Sequence, residues 1–200
     1  MKIIAISCSS RRHGNTEILL EQVLQGARQE GAATELITVQ GKHLEPCDGC
    51  RTCDQAGLCH IQDDVQEIHR KMVEARGIIF GSPVYSYSMT PQLKTIIDRT
   101  VSLRGPRGLN NKIAGVVVTA ASMGMTDVLK DLYFWIVTRQ MLPANFIAAL
   151  CQEKGEVLEL KKCLQAAHDL GRQVALLAAQ NFKYPGGIDS AKHGYGTWAK

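Results

Sequence analysis

Apolar residues along the chain fall into short β-branched runs that alternate with stretches in which they recur every three or four positions. Lys2 to Ser7 is the first such run, and Thr16 to Glu30 then places Leu19, Leu20, Val23, Leu24 and Ala27 on one face ahead of Gly31. That is the pattern of strand, loop, amphipathic helix and glycine stop. Thr34 to Val39 alternates as a second strand, Asp63 is placed to cap a helix carrying Val65, Ile68 and Met72, and Gly77 to Ser82 reads as a third, buried strand. Thr90-Pro91 offers a capping hydroxyl followed by proline at the first helical position, for a helix that turns Leu93, Ile96, Ile97 and Val101 inward. Lys112 to Ala120 is expected as a central strand, about Thr126 to Arg139 as a helix, Asn145 to Cys151 as a fifth strand, and Glu156 to about Phe182 as one long closing helix.

Strands that alternate with helices predict a parallel sheet covered on both faces, because each parallel crossover needs a connection of helix length. Five strands fit the flavodoxin-like, doubly wound α/β order 2-1-3-4-5 better than the six-stranded dinucleotide arrangement, with ligand at the carboxyl ends of strands one and three. The loops to inspect are then Ser7 to Thr16, Ser82 to Thr90 and Thr119 to Thr126. Residues 1–182 are expected to form one domain. The turn-rich residues 183–200 are expected to be a C-terminal arm or tail.

Composition narrows the function without fixing it. The chain is 45% apolar and 21% charged, an ordinary globular balance. A net charge of +4, with basic residues clustered only at Arg11-Arg12 and around Arg104 and Arg107, argues against nucleic acid and suits an anionic cofactor or an acidic redox partner. No window reaches the eighteen or more apolar residues of a membrane span, and the short apolar run after Lys2 lacks a cleavage site, so no membrane and a cytoplasmic location are expected. In that reducing setting, an odd total of seven cysteines points to metal or redox chemistry before structural disulfides.

The first loop brings Ser9, Ser10, Arg11, Gly14, Asn15 and Thr16 to a helix start. Hydroxyls, a guanidinium and helix-terminal N–H groups suit a phosphate, and the loop carries neither the triphosphatase nor the dinucleotide glycine pattern. His13 is a further possible donor. Cys8 has no arginine six places on, where Gly14 stands, so a phosphatase nucleophile is not supported and Cys8 is expected to be a small buried residue. The second loop, through Pro83, Val84, Tyr85 and Ser86, can run along the edge and face of a flat heteroaromatic ring, with Thr119, Ala120, Ala121 and Ser122 on the opposing side. Phosphate and ring together point to flavin mononucleotide.

Ser9, Ser10, Arg11 and Gly14-Asn15-Thr16, the segment Ser82-Pro83-Val84-Tyr85, and Leu93 to Arg99 resemble the flavodoxin-like NADPH-dependent FMN reductase superfamily, over Met1 to about Leu150. The resemblance implies FMN at these loops. It also implies a homodimer, or a dimer of dimers, in which a partner copy helps to cover the flavin.

Residues 45–62 form a cysteine-rich insertion after the second strand, with Cys47, Cys50, Cys53 and Cys59 spaced by two, two and five residues. Three thiolates at this spacing converge from one loop and a fourth can complete a [4Fe-4S] set, whereas structural zinc usually pairs two knuckles across a longer spacer. Zinc and redox-active or merely reduced thiols remain alternatives, with His60 a substitute ligand. Asp48, Gly49 and Gly57 are expected to help the loop turn back on itself. The insertion, with Asp63-Asp64 after the last cysteine, resembles the iron-sulfur flavoproteins of that superfamily and implies a [4Fe-4S] cluster beside FMN. The implied activity is electron transfer between flavin and a ferredoxin-like one-electron carrier. An NAD(P)H-dependent FMN or quinone reductase without a cluster, acting on a small-molecule redox substrate with NAD(P)H as a transient donor, is the alternative. A flavin-based redox sensor or binding module is a third. No catalytic nucleophile or base stands out. Cys151 and Cys163 are expected as core or helix-face thiols, and Asp131 to Val137 as packing or dimer contact.

Overall fold

Five parallel strands, β1 (Lys2–Ser7), β2 (Ala33–Thr38), β3 (Gly77–Pro83), β4 (Ile113–Ala120) and β5 (Leu142–Leu150), form one sheet in the order β2-β1-β3-β4-β5. The structure, a computed structural model, describes residues 1–103 and 108–185. The expected C-terminal arm therefore lies outside the described residues apart from its first three, and Arg104 and Arg107 lie outside as well. Helices α1 (Asn15–Gln29), α2 (Thr52–Ala56), α3 (Asp64–Glu74), α4 (Pro91–Arg99), α5 (Met125–Thr138) and α6 (Lys161–Ala179) complete the fold. No described helix is long and apolar enough to cross a membrane.

The apolar runs of β1, β3 and β4 are nearly continuous because these strands are buried on both faces. One face carries Ile4, Ile6, Ile78, Phe80, Val116 and Val118 against Met72, Leu93 and Leu132, the inward residues of α3, α4 and α5. The other carries Ile3, Ala5, Ile79 and Val117 against Leu20 and Val23 of α1 and Leu170 and Val174 of α6. In-register pairing, Ile6 with Phe80 and Gly81 with Val117, brings the carboxyl ends of β1, β3 and β4 to one rim. On edge strand β5 the alternation leaves Phe146 and Leu150 half-exposed.

Capping follows the side-chain chemistry. The Asp63 carboxylate accepts from Val65 N at 3.1 Å at the start of α3, and Thr90 Oγ1 accepts from Leu93 N at 3.3 Å at the start of α4. Two expectations need correction. The long closing helix is interrupted: Glu156–Glu159 is a 3-10 turn and α6 starts only at Lys161, because Leu160 sits outside helical geometry (φ −88°, ψ 66°). Val101 is not part of α4 but lies half-buried in the 3-10 turn Thr100–Ser102 that follows it. Cys8 is fully buried and its thiol is pushed up by desolvation, as suits an inert core residue.

Helices α1 and α6 cross in backbone contact at two glycines. A methyl group on Gly171 would lie 1.7 Å from Val23 O, and one on Gly26 would lie 1.9 Å from His168 O. Backbone cannot yield as a flexible side chain would, so Gly171→Ala is expected to destabilise the domain by about 3 kcal/mol, checked by urea unfolding. The buried imidazole of His69 offers a pH test. Its Nε2 donates to Ile96 O at 2.9 Å, and burial, the main cause, pulls its pKa down to about 4. A depressed histidine pKa adds stability that is complete above the ordinary value near 6.5 and is lost as pH falls towards 4, with a slope of up to ~1.4 kcal/mol per pH unit. Unfolding free energy measured from pH 7 to pH 4 should show this decline, and His69→Gln should flatten it.

Candidate functional site

At the carboxyl rim of the sheet, the loops after β1, β3, β4 and β5 surround a cleft of about 140 Å³. Ser9, Arg11, Gly14, Asn15, Thr16, Pro83, Val84, Tyr85, Thr119, Ala120 and Ala121 all line it. Ser10 stands at its rim, its hydroxyl sharing a 2.6 Å hydrogen bond with the Tyr85 hydroxyl. Ser86 and Ser122 are exposed and do not line it.

The first loop is ordered by its own polar groups. Arg11 N donates to Ser9 Oγ at 3.2 Å, and Gly14 N donates to Arg11 O at 3.3 Å. A methyl group on Gly14 would sit 3.1 Å from Arg11 O, so glycine keeps the turn tight. No side chain caps α1, and its first-turn N–H groups, which no helix can satisfy internally, are left for an acceptor at the cleft. Glu17 is occupied with His13: the backbone N–H of His13 donates to Oε2 at 3.1 Å, and Nδ1 of its imidazole, 83% exposed, lies 3.2 Å from Oε1.

Asn15 and Thr16 act differently from simple phosphate ligands. Asn15 Nδ2 donates to Glu153 O at 2.7 Å, while its Oδ1 accepts from Gly155 N and Val157 N at 2.9 and 3.3 Å. Its side chain is thus consumed in fastening the loop after β5, which delivers Cys151, Gln152 and Lys154 to the cleft. These three were missed in the sequence; the position of Lys154 just beyond the fifth strand was the one available signal. Cys151, expected in the core, is buried yet reaches the cleft, and its thiol is pushed up by desolvation, then by Glu156 and Cys163. Thr16 Oγ1 and Thr119 Oγ1 share a buried 2.8 Å hydrogen bond that ties the first loop to the third. Val84 N donates to Thr119 O at 2.8 Å, and Ser82 Oγ accepts from Thr90 N at 3.1 Å, closing the neck of the second loop. The donor set, helix-terminal N–H groups with the cations Arg11 and Lys154 nearby, fits a phosphate monoester.

The cysteine insertion forms a second cavity of about 260 Å³, lined by Cys47, Cys50, Cys53 and Cys59 together with Asp48, His60 and Arg99. Left-handed residues curl the loop: Gly49 (φ 72°), Arg51 (φ 61°) and Gly57 (φ 67°) flank the short helix α2, which no regular pattern in the sequence announced. Asp48 accepts from Cys50 N at 3.1 Å and meets His60 Nε2 at 2.8 Å. Its carboxyl is held down to about 2, chiefly by that N–H, with Cys50 and His60 adding to it.

Both ends of the insertion meet at one buried ion pair. Arg99 Nη1 lies 2.5 Å from Asp63 Oδ2, with both side chains fully shielded from solvent. Arg99 also donates to Glu45 O at 3.1 Å and Ile61 O at 3.0 Å, and Asp63 Oδ2 accepts from Glu45 N at 2.7 Å. Gln66 Nε2 adds bonds to Cys59 O and Ile61 O at 3.1 and 2.8 Å.

Comparison with known proteins gives a consistent result. Residues 1–168 match the NADPH-dependent FMN reductase family. An iron-sulfur flavoprotein of Methanocaldococcus jannaschii is 42% identical over 144 residues, 71% of this chain and 75% of that protein. An iron-sulfur flavoprotein of Methanosarcina thermophila is 32% identical over 145 residues, 71% and 76% of the two chains. The solved structure of a flavone reductase matches with a TM-score of 0.72 at 23% identity, covering 90% of this chain and only 63% of that one, a likeness of fold.

Because Asn15 holds the loop that carries Lys154, Asn15→Ala should act at a distance from any contact of its own side chain. FMN affinity is expected to fall about tenfold, ~1.4 kcal/mol, with faster amide exchange confined to residues 151–157. Fluorescence titration and hydrogen exchange check the two effects together.

Proposed function

This chain belongs to the NADPH-dependent FMN reductase family, among its iron-sulfur flavoproteins, and from that premise we propose that it is an FMN-dependent electron-transfer oxidoreductase with a [4Fe-4S] cluster on Cys47, Cys50, Cys53 and Cys59. That it is a flavin oxidoreductase follows from the family; the cluster and its partner are our reading. The observation that carries it is the convergence of all four cysteines on one cavity whose two chain ends are pinned by a single buried ion pair.

A four-thiolate zinc site needs sulfurs about 3.8 Å apart, given Zn–S bonds of ~2.3 Å in a tetrahedron. Among the described residues, the one group of three or more potential ligand atoms within 4.8 Å of one another is Asp48, Cys50 and His60, which includes one of the four cysteines. The four cysteines line a cavity of about 260 Å³, which leaves room for a group bulkier than a single ion.

In this reading the first-turn N–H groups of α1, with Ser9, Arg11 and Lys154, bind the FMN phosphate, and Thr16 braces the loop against Thr119. Pro83, Val84 and Tyr85 line one side of the ring, and Thr119 to Ala121 the other. When bound, FMN exchanges two electrons together or singly and the cluster exchanges one. The protein's task is to bind, orient and shield them, and no nucleophile or base of its own is required. A ferredoxin-like carrier is the proposed one-electron partner, in a reducing cytoplasm where free thiols persist. A second copy is proposed against the exposed apolar side chains of Phe134 and Val137 on α5 and Phe146 and Leu150 on β5. The family's description favours NADPH as a donor to the flavin, which keeps a cluster-free NAD(P)H-dependent reductase as the second reading.

Anaerobically purified protein should contain about four iron and four sulfide per chain together with FMN. Cys53→Ala should lose iron and sulfide while retaining FMN. Flavin without iron or sulfide, even after anaerobic reconstitution, would leave the second reading in place.

A further inference from the structure

Arg99 is the bulkiest of the fully buried side chains, and it lines the cysteine cavity. A guanidinium has five N–H donors in a rigid fork. Here Nη1 is used on Asp63 and Glu45 and Nη2 on Ile61, so the outer nitrogens account for the clamping of the loop. Nε is buried and has no hydrogen-bond partner. A buried donor of this kind is costly to leave unmade, and the clamp does not need it.

Resting on the cluster reading given above, we propose that Arg99 Nε–H donates a hydrogen bond to a sulfur of the bound cluster or of its Cys59 thiolate, making Arg99 a positioning residue for the cluster as well as the clamp of its loop. Hydrogen bonds to cluster sulfurs raise the reduction potential, because the donor interacts more strongly with the more negative, reduced state. Lysine at this position keeps a positive charge for Asp63 but has no N–H at the Nε position and no fork.

The test compares full-length wild type with Arg99→Lys, both reconstituted anaerobically, by iron and sulfide content, FMN content and the midpoint potentials of cluster and flavin. A cluster potential shifted to more negative values, with flavin content and flavin potential unchanged, is the expected result. An unshifted potential at full iron and sulfide content overturns the inference while the cluster reading stands. Wild type without iron or sulfide removes the cluster reading and this inference with it. Should Arg99→Lys fail to retain the cluster, the deciding measurement uses Arg51→Lys protein with native Arg99, its arginines ¹⁵N-labelled at Nε, because Arg51 also lines the cavity. Pulsed EPR of the dithionite-reduced cluster then shows a ¹⁵N coupling if Arg99 donates to it, and the absence of coupling overturns the proposal.

Discussion

The Arg99–Asp63 ion pair is the constraint on which the cysteine loop depends. Taking both charges out of water costs several kcal/mol per ion, and attraction between them offsets this only where further hydrogen bonds satisfy the remaining donors and acceptors. Asp63 is close to fully used: one carboxylate caps α3 through Val65 N, accepts from Glu45 N and pairs with Arg99. Arg99 answers with bonds to the carbonyls of Glu45 and Ile61, the residues at which the insertion leaves and rejoins the domain. A loop whose cysteines are exposed or half-buried, with little apolar burial, has no core of its own. Its shape is imposed from its ends.

The same arginine connects the two candidate sites through α4. That helix starts at the Thr90 cap, whose N–H donates to Ser82 Oγ beneath the second cleft loop, and ends at Arg99 beside the cysteines. Nine residues at 1.5 Å each make a strut of about 13 Å. Its inward face, Leu93, Ile96 and Ile97, is locked into the sheet. One short rigid element thus fixes the spacing between the cleft and the cysteine cavity, and it does so by packing against a sheet whose register is determined on both faces.

The fold was legible because buried parallel strands and amphipathic helices leave different periods, and because Asp63 and Thr90-Pro91 mark helix starts by a local mechanism. What could not be read depended on contacts distant in sequence. Glycine inside a helix ordinarily weakens it, yet Gly26 and Gly171 are where two backbones touch. Asn15 carries the expected residue type at the expected place, yet its amide faces a loop 138 residues later. Arg99 is the last residue of α4, and nothing local in the sequence shows that it is buried. The cysteine spacing marked the four thiols that line one cavity; the curl of their loop through Arg51 and α2 was not legible.

The second loop, beside the cleft, holds backbone strain that the rest of the structure must support. Tyr85 to Ser88 closes as a two-residue hairpin, with bonds of 2.9 and 3.0 Å between their backbone groups, and its central residues Ser86 and Tyr87 both take positive φ. Asn-Gly is the sequence that adopts this turn without difficulty, and side chains other than glycine cost roughly 1–2 kcal/mol apiece there. Three interactions hold it: the Ser82 hydroxyl at its neck, Val84 N on Thr119 O, and Gly124, where an added methyl would come within 2.8 Å of Tyr87 Cα. The result is that Tyr85 reaches across to Ser10 and closes the rim between the first and second loops. A relaxed turn would need no such support, and this strain persists because the surrounding structure over-determines it from three sides.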